Sequence, residues 1–157
     1  MEAVSLFRMI SSFTNEYAFL SNFYPVPGGI TVGKHTFLSV EHAYQALKCP
    51  EDLRDERWNK YFNCTAGHAK RLGKQLPLRS DWSTIKDNLM TELCSLKFNE
   101  PSLINLLLNT QDEELIEGNW WGDTYWGVCN GQGQNKLGKI LMSIRFQKKL
   151  ENIEKSS

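Results

Sequence analysis

The sequence predicts an α+β fold: one compact, helix-rich domain with a small antiparallel sheet near its N-terminus. The 157 residues suffice for a single domain with a sizeable core, and no linker or internal repeat divides them. Apolar residues alternate, as strands require, in a short stretch before residue 38. From Ser39 onward they recur at helical spacing, so helices dominate the rest of the prediction.

The N-terminal sheet is predicted from ITVGKHTF at residues 30–37. Two short alternating runs flank Gly33 and Lys34, and glycine in the first position suits a type II′ turn. The preceding segment, FLSNFYPVPGG, is aromatic and contains Pro25 and Pro27, so we expect a structured loop there.

Six helices are predicted after the hairpin. Ser39 is an N-cap residue for the first, and Pro50 blocks its continuation. The third is short and basic and ends near Gly73, and Pro101 suits the first position of the fifth. The segment ELIEG is a candidate strand. The helices are expected over about 40–49, 65–73, 81–98, 101–109 and 136–150, and a further helix is expected to begin at about 51. The helix that begins at about 51 is expected to bury Leu53, Trp58, Tyr61 and Phe62. The helix over 81–98 is expected to bury Trp82, Ile85, Leu89, Leu93 and Leu96.

Composition disfavours several classes of function. The 18 basic and 18 acidic residues cancel, which argues against a nucleic-acid binder that works mainly by phosphate neutralisation but is compatible with a pocket for one phosphate. The scattered cysteines and histidines lack metal-ligand spacing, so we predict free thiols, no metal and no cofactor. Because no secretory h-region and no apolar run of ~20 residues is present, we expect a cytoplasmic protein without a membrane partner.

The segment GNWWGDTYWGVCNGQGQNKLGKIL, residues 118–141, is rich in glycine and tryptophan. Within it, GQNKLGKI nearly matches the phosphate-binding pattern GxxxxGK[ST], but Ile140 stands where a magnesium-binding hydroxyl is needed. Two alternatives stay open. Either the N–H groups that lead into the last helix bind an anion, or the glycines form a turn and Gly138 allows close packing.

Two acids are candidates for chemistry. Asp123 lies between Trp121 and Trp126, which could exclude water around its carboxylate. The alternative, favoured by composition alone, is an aspartate bonded to its own backbone in a turn. Glu41 falls in the first turn of its helix, and at about 100° per residue it lies within about 20° of Lys48 around the axis. This pair either lines a cleft or belongs to an exposed helix face.

A basic cluster follows in the sequence. It could hold a phosphate, although such clusters more often form a solvated face. Its members are His68, Lys70, Arg71, Lys74 and Arg79.

Four blocks of the sequence together resemble the YbiA-like, or NADAR, family. They are FLSNFYP (19–25), SVEHAYQALK (39–48), DWSTIKDNLM (81–90) with LKF (96–98), and GDTYWG…GQNKLGKILMSIR (122–145). Their order and spacing match from about residue 13 to 146, and the second and fourth blocks are the most specific. The resemblance implies a compact α+β domain over 13–147, an N-terminal extension over 1–12 and a polar C-terminal tail over 148–157.

The resemblance also implies an enzyme, an N-glycosidase that hydrolyses N-glycosyl bonds. Some members of the family cleave the bond between a ribose phosphate and an amine-bearing base in early riboflavin intermediates, and others remove ADP-ribose from guanine. The expected partner is therefore a phosphorylated ribosyl small molecule, with ADP-ribosylated nucleic acid as an alternative. A further alternative is a module that binds ADP-ribose or an NAD derivative without turnover. No oligomeric state is predicted.

Carried over by position, the implied catalytic residues are Glu41, Asp123 and Lys48. Two mechanisms are compatible with them. In one, carboxylates stabilise an oxocarbenium-like C1′ and activate water. In the other, a neutral Lys48 attacks ring-opened C1′ to give a Schiff base. The implied substrate-binding residues are Asn22, Phe23, Tyr44, Trp82, Trp126, Asn135 and Gly138.

Overall fold

A computed structural model describes residues 8–156 as helices joined by short strands and turns. The predicted α+β class, with more helix than strand, is confirmed. Residues 1–7 of the expected N-terminal extension lie outside the described residues, as does Ser157. The strands are β1 (Met9–Ile10), β2 (Ile30–Val32), β3 (His35–Phe37), β4 (Glu114–Leu115), β5 (Gly118–Asn119) and β6 (Val128–Cys129), and the α-helices are α1 (Val40–Ala46), α2 (Arg54–Arg57), α3 (Ala66–Gly73), α4 (Trp82–Lys97), α5 (Pro101–Leu108) and α6 (Lys136–Ser156).

The residues group into two compact units. We call Asn22–Glu100 the central unit, since it occupies the middle of the sequence. The terminal unit combines the described residues before Asn22 with those from Pro101 onward.

The predicted hairpin forms part of the central unit. Strands β2 and β3 pair antiparallel, with Val32 opposite His35, so the connecting turn contains only Gly33 and Lys34. Gly33 has a φ of +61°, the left-handed conformation that glycine adopts without strain and that the first position of a II′ turn requires. Phe37 at the end of β3 is fully buried, which anchors the hairpin on the core.

Helix α1 packs against both α3 and α4. It ends at Ala46 and does not reach Pro50, and the single helix predicted after it is replaced by α2 between two 3₁₀ helices, Glu51–Leu53 and Trp58–Tyr61. The indole N–H of Trp58 donates to the backbone oxygen of Ala46 at 2.9 Å. This bond holds the segment around Trp58 against the end of α1. The long-range contact takes the place of the single regular helix that the sequence predicts there. Leu53 and Phe62, expected to be buried, are only partly so.

The buried face of α4 differs from the prediction at its C-terminal end. Leu96, expected in the core, is 44% exposed, whereas Lys97 is 1% exposed. The Lys97 ammonium lies 5.9 Å from the ring centroid of Tyr24 and 5.2 Å from that of Phe98. The Lys97 side chain can be buried there because aromatic faces attract its ammonium group and because its aliphatic stem is apolar.

The terminal unit contains two parallel strand pairs, β1 with β4 and β5 with β6. The candidate strand in ELIEG is confirmed as β4, but its pairing with β1 was not predicted, because the partners are remote in the sequence. Helix α6 packs on β4 and α5 and continues to Ser156, past the predicted end at 150. The polar tail is therefore helical, as its Glu and Lys content and the Lys148–Glu151 ion pair at 3.6 Å favour.

Among residues 8–156, none of the helices combines the length and the apolar character that a membrane crossing demands.

Candidate active site

Helix α1 positions the first group of predicted site residues. It begins where the sequence predicts, because Ser39 caps it by accepting the His42 N–H at 3.3 Å. The His42 ring is fixed at both ends: Nδ1 lies 2.7 Å from Ser39 Oγ, and Nε2 lies 2.7 Å from the backbone oxygen of Cys64. Since a carbonyl only accepts, Nε2 donates there. His42 thus anchors the start of the helix, and Glu41 is its second residue.

Glu41 is buried, with 7% of its surface exposed. Its Oε2 accepts a 2.7 Å hydrogen bond from Nε2 of Gln45, one helical turn later. Its backbone N–H donates to the backbone oxygen of Asn22 at 3.0 Å, which ties the predicted N-terminal loop to α1. Glu41 is therefore a desolvated carboxyl group held in a defined orientation, as a catalytic acid or base requires.

Lys48, predicted on the same helix face, lies two residues past the end of α1, beside two aromatic rings. Its Nζ is 5.5 Å from the Tyr44 ring centroid and 5.9 Å from that of Trp82. The two rings are buried and contact each other at 5.0 Å between centroids. The alternative of an exposed helix face does not fit the burial of Glu41, Tyr44 and Trp82, and a cleft lined by Glu41 and Lys48 stays a prediction.

Burial lowers the pKa of Lys48 below its ordinary value of 10.5. The carboxylate of Glu41 opposes the shift, while the nearby ammonium groups of Lys70, Lys74 and Lys86 add to it. A lowered pKa gives a larger fraction of neutral amine at a given pH, and the neutral amine is the nucleophilic form.

Asn22 and Phe23 occupy the loop before the hairpin. The Asn22 side chain points to sulfur atoms of α4, with Nδ2 3.5 Å from Met90 Sδ and Oδ1 3.9 Å from Cys94 Sγ. Phe23 is 43% exposed. Asn22 therefore connects the loop to α4 and α1, and a direct role of either residue in substrate binding stays a prediction.

Asp123 belongs to the terminal unit and organises its own loop. Its Oδ1 accepts from the N–H groups of Tyr125 at 3.0 Å and Trp126 at 2.9 Å. Its backbone N–H and C=O both bond to the side chain of Asn119, at 2.9 and 2.8 Å. This geometry matches the turn alternative for Asp123. A catalytic role for its second oxygen, Oδ2, stays a prediction.

The start of α6 resolves the two alternatives for the glycine-rich segment. The N–H groups of residues 134–137 donate to backbone oxygens of the 124–127 loop, with N···O distances of 2.8–3.3 Å. Donors that are already used cannot bind an anion, so the phosphate-cradle alternative is wrong for these four groups.

Asn135 and Gly138 complete that junction. The Asn135 side chain accepts from Glu117 N at 3.0 Å and donates to the Leu115 oxygen at 2.9 Å. A Cβ on Gly138 would overlap the Leu115 oxygen and lie 2.6 Å from Asn135 Oδ1. Both residues pack α6 against β4, as the turn alternative predicts, and a contact of either with substrate stays a prediction.

The structure thus brings together Glu41, Tyr44, Lys48 and Trp82 in the central unit. Asp123, Trp126, Asn135 and Gly138 share a loop and helix start in the terminal unit. Two further residues are not among the predicted site residues: Gln45, which bonds to Glu41, and Lys86, which acts electrostatically on Lys48. Gln45 could have been found from its spacing of four residues from Glu41, but nothing local marks Lys86.

A buried carboxyl group and an amine of lowered pKa beside an aromatic wall are an arrangement that enzyme sites use, and a catalytic role of Glu41 and Lys48 stays a prediction. The NADAR domain family matches residues 8–148, a range that includes parts of both units. The chain belongs to the NADAR domain family.

Individual relatives agree with this assignment. The N-glycosidase YbiA of Shigella flexneri is 33% identical over 146 residues, which cover 89% of this chain and 87% of the relative. The riboflavin biosynthesis protein VVA0006 of Vibrio vulnificus is 37% identical over 134 residues, covering 82% of this chain but 35% of that longer protein. The NMR structure of the Escherichia coli protein YbiA matches with a TM-score of 0.77 at 33% identity, covering 94% of this chain and 88% of that one.

These similarities confirm the predicted family and the predicted fold class. They also confirm the predicted class of enzyme, a hydrolase that acts on N-glycosyl bonds, since the relatives include proteins named N-glycosidases.

Proposed function

We propose that the protein hydrolyses the C1′–N bond of a phosphorylated ribosyl compound, and that ribosylaminopyrimidine phosphates of the riboflavin pathway are its substrates. One relative is named an N-glycosidase and another a riboflavin biosynthesis protein, which supports both parts of the proposal. The observation that carries it is the buried carboxyl group of Glu41, close enough to act electrostatically on the amine of Lys48, which lies beside the Tyr44 and Trp82 rings.

In the proposed reaction, Glu41 handles protons at the reacting centre. Its carboxyl group is desolvated and held by Gln45, so it need not reorient during the reaction. The aromatic wall excludes water from the neighbouring amine and keeps part of the Lys48 population neutral.

The lowered pKa of Lys48 supports the Schiff-base route over the carboxylate-only route. In the ring-opened ribosylamine, C1′ is an imine carbon. The neutral amine of Lys48 forms a new bond to C1′, and its two protons pass in turn through Glu41 to the nitrogen of the base. The bond between C1′ and that nitrogen then breaks, so the base leaves as a free amine and Lys48 is left as an imine. Water then adds to the lysine imine, ribose phosphate is released, and the Lys48 amine is restored.

The first experiment measures product release. Purified protein is incubated with ribosylaminopyrimidine phosphate, and the free base and ribose 5-phosphate are quantified by chromatography and mass spectrometry. We expect turnover by the wild type and loss of at least about 100-fold in kcat for Glu41→Gln, a typical contribution of a general acid or base. Glu92→Gln, at an exposed position of α4, is the matched control and should retain full activity. Unchanged kcat in Glu41→Gln would remove Glu41 from the mechanism.

The second experiment traps the intermediate. Borohydride reduces an imine to a stable amine, so wild-type protein with substrate should gain the mass of the reduced sugar phosphate at Lys48. Lys48→Ala should gain none, and Lys139→Ala, at an exposed position of α6, should behave as the wild type. No adduct on an active wild type would favour the carboxylate-only route.

The same assay separates the alternatives. ADP-ribosylated guanine is offered in parallel, and release of guanine without any cleavage of the pyrimidine compound would assign the other substrate. Tight binding of ADP-ribose without cleavage of either compound would identify a binding module and refute the proposal.

A further inference from the structure

The C-terminal half of α6 carries three exposed apolar side chains. Phe146 is 58% exposed, Leu150 40% and Ile153 65%. Single apolar residues on a surface are common, but these three follow one another along one helix, four and then three residues apart. At about 100° per residue they lie within about 60° of each other around the helix axis. They therefore form one continuous apolar strip, which we call the α6 stripe.

The α6 stripe lies on the side of α6 that faces away from the core of the terminal unit. Leu137 and Leu141 are buried in that unit, where α6 packs on β4 and α5. Counted from Phe146, these two leucines lie about 140–180° away around the helix axis. The stripe is therefore separate from the face that holds α6 in the fold, and it is available to a partner.

The spacing of the α6 stripe is that of a coiled-coil seam. Steps of four and three residues alternate between the d and a positions of a heptad, so Phe146 and Ile153 take d positions and Leu150 takes the a position between them. The same register places Lys149 at g and Glu154 at the following e position. The g and e positions flank the seam on its two sides, so one flank is basic and the other acidic.

This charge pattern is complementary to itself in one orientation. When two copies of α6 run parallel, the basic flank of each faces the acidic flank of the other, and Lys149 meets the partner's Glu154 twice across the two-fold axis. When they run antiparallel, each flank faces its own like charge. Lys149 is held on its flank by bonds from Nζ to Asp112 Oδ1 at 2.6 Å and to the Gln111 backbone oxygen at 3.2 Å. These bonds use two of the three N–H groups of the ammonium.

We propose that a second copy of this chain covers the α6 stripe, in a parallel two-fold dimer. Phe146, Leu150 and Ile153 of both copies form the apolar contact, and the two pairs between Lys149 and the partner's Glu154 set the orientation. A seam of three apolar positions is shorter than the ~3–4 heptads of a stable coiled coil, so the dimer is weak and reversible, with a Kd of about 10–300 µM. This association is independent of the proposed function.

Sedimentation equilibrium of the purified chain, loaded at about 5 µM to 1 mM, measures the association. The average mass of the wild type should rise with concentration from the 18.1 kDa of one copy toward twice that value. Phe146→Gln and Ile153→Gln should each weaken the dimer at least about 10-fold, because each removes an apolar anchor from the centre of the contact. Leu106→Gln, the same kind of change at an exposed position of α5, is the matched control and should associate as the wild type. Circular dichroism and the Tm of each variant verify that it folds.

Charge reversal tests the parallel orientation. Lys149→Glu and Glu154→Lys should each weaken the dimer about 3–10-fold, because each places like charges opposite one another in both pairs. The two changes together exchange the flanks, so the double variant should recover the affinity of the wild type. Lys155→Glu, at the outward-facing f position of the same heptad, is the charge control and should leave the Kd unchanged.

Three results would overturn the proposal. A wild type that stays monomeric over the whole concentration range would show that a second copy does not cover the α6 stripe. A dimer that keeps its affinity in folded Phe146→Gln and Ile153→Gln would show that the copies associate through another surface. A dimer that the apolar changes weaken, but that neither single charge reversal affects, would refute the parallel arrangement.

Discussion

Replacing Gly73 by alanine tests how the orientation of Glu41 depends on the packing of α3 against α1. A Cβ at this position would overlap Oε1 of Gln45 and lie 2.8 Å from its Cδ. The amide of Gln45 is buried, and its other end holds Glu41 at 2.7 Å. The added methyl group must therefore displace the amide that orients the proposed catalytic acid.

The expected loss of stability follows from two opposing effects. Alanine is favoured over glycine inside a helix by about 0.5–1 kcal/mol. Overpacking of a buried contact costs about 1–3 kcal/mol. The net destabilisation of Gly73→Ala therefore lies between about 0 and 2.5 kcal/mol, with a central value of about 1 kcal/mol, which corresponds to a decrease in Tm of about 2–4 °C for a protein of this size. Because Glu41 loses its fixed partner, kcat should fall by about 10-fold, the equivalent of 1.4 kcal/mol in the transition state.

The same helix supplies the control. A Cβ at Gly67 would meet only Arg71 Nη1, at 3.8 Å, which is an ordinary contact. Gly67→Ala should therefore leave kcat unchanged and raise stability slightly. Urea unfolding followed by circular dichroism measures both variants.

A double mutant decides whether Gln45 transmits the effect. Gln45→Ala creates the space that the alanine at position 73 needs, so the two substitutions together should destabilise less than the sum of the single changes, with a coupling of about 1 kcal/mol or more. If Gly73→Ala is as stable and as active as Gly67→Ala, the contact between Gly73 and Gln45 does not position Glu41.

Three further predictions concern other groups. Because burial lowers the pKa of Lys48, the rate at which an acylating reagent modifies its amine should rise with pH with a midpoint below pH 10.5. Quantitative peptide mass spectrometry at a series of pH values measures this rate. A midpoint at or above pH 10.5 would contradict the expected sign of the shift. Asp123→Asn keeps an acceptor for the N–H groups of Tyr125 and Trp126, so its free energy of unfolding should stay within about 0.5 kcal/mol of the wild type. Asp123→Ala removes that acceptor and should lose about 1–2 kcal/mol. Loss of kcat in the stable Asn variant would show that Asp123 acts in catalysis as well as in the turn. Burial raises the pKa of Cys94 to about 12, so iodoacetamide at pH 8 should modify it only after unfolding in urea, and rapid alkylation of the native protein would show that α4 opens locally.

The elements with strong local signals were predictable from the sequence. The hairpin at Gly33 and Lys34, the cap at Ser39 and the helix start at Pro101 all depend on sterics and hydrogen bonds within a few residues. The place of Glu41 in the first turn of α1 follows from the Ser39 cap, whereas Lys48, predicted on the same helix face, lies two residues past the end of the helix. For the same reason, the family resemblance could be recognised from blocks in which such residues stand at fixed spacing.

Other predictions were wrong or incomplete because they depended on partners remote in the sequence. Periodicity placed Leu96 in the core, but Lys97 occupies it since Tyr24 and Phe98 surround its ammonium. The helix predicted after residue 51 is interrupted, because Trp58 bonds to the end of α1.

The sequence by itself determined the fold class, the face of α1 that carries Glu41, and the family, since each of these depends on residue type and short-range spacing. Tertiary structure alone decided what surrounds that face. It brings the Gln45 amide into a hydrogen bond with Glu41 and brings Lys86, like Lys70 and Lys74, near enough to act on the pKa of Lys48. It also pairs the N–H groups at the start of α6 with backbone oxygens of the preceding loop. The physical reason is that burial, charge and hydrogen-bond saturation are properties of groups that meet in space, and these groups come from different helices and loops.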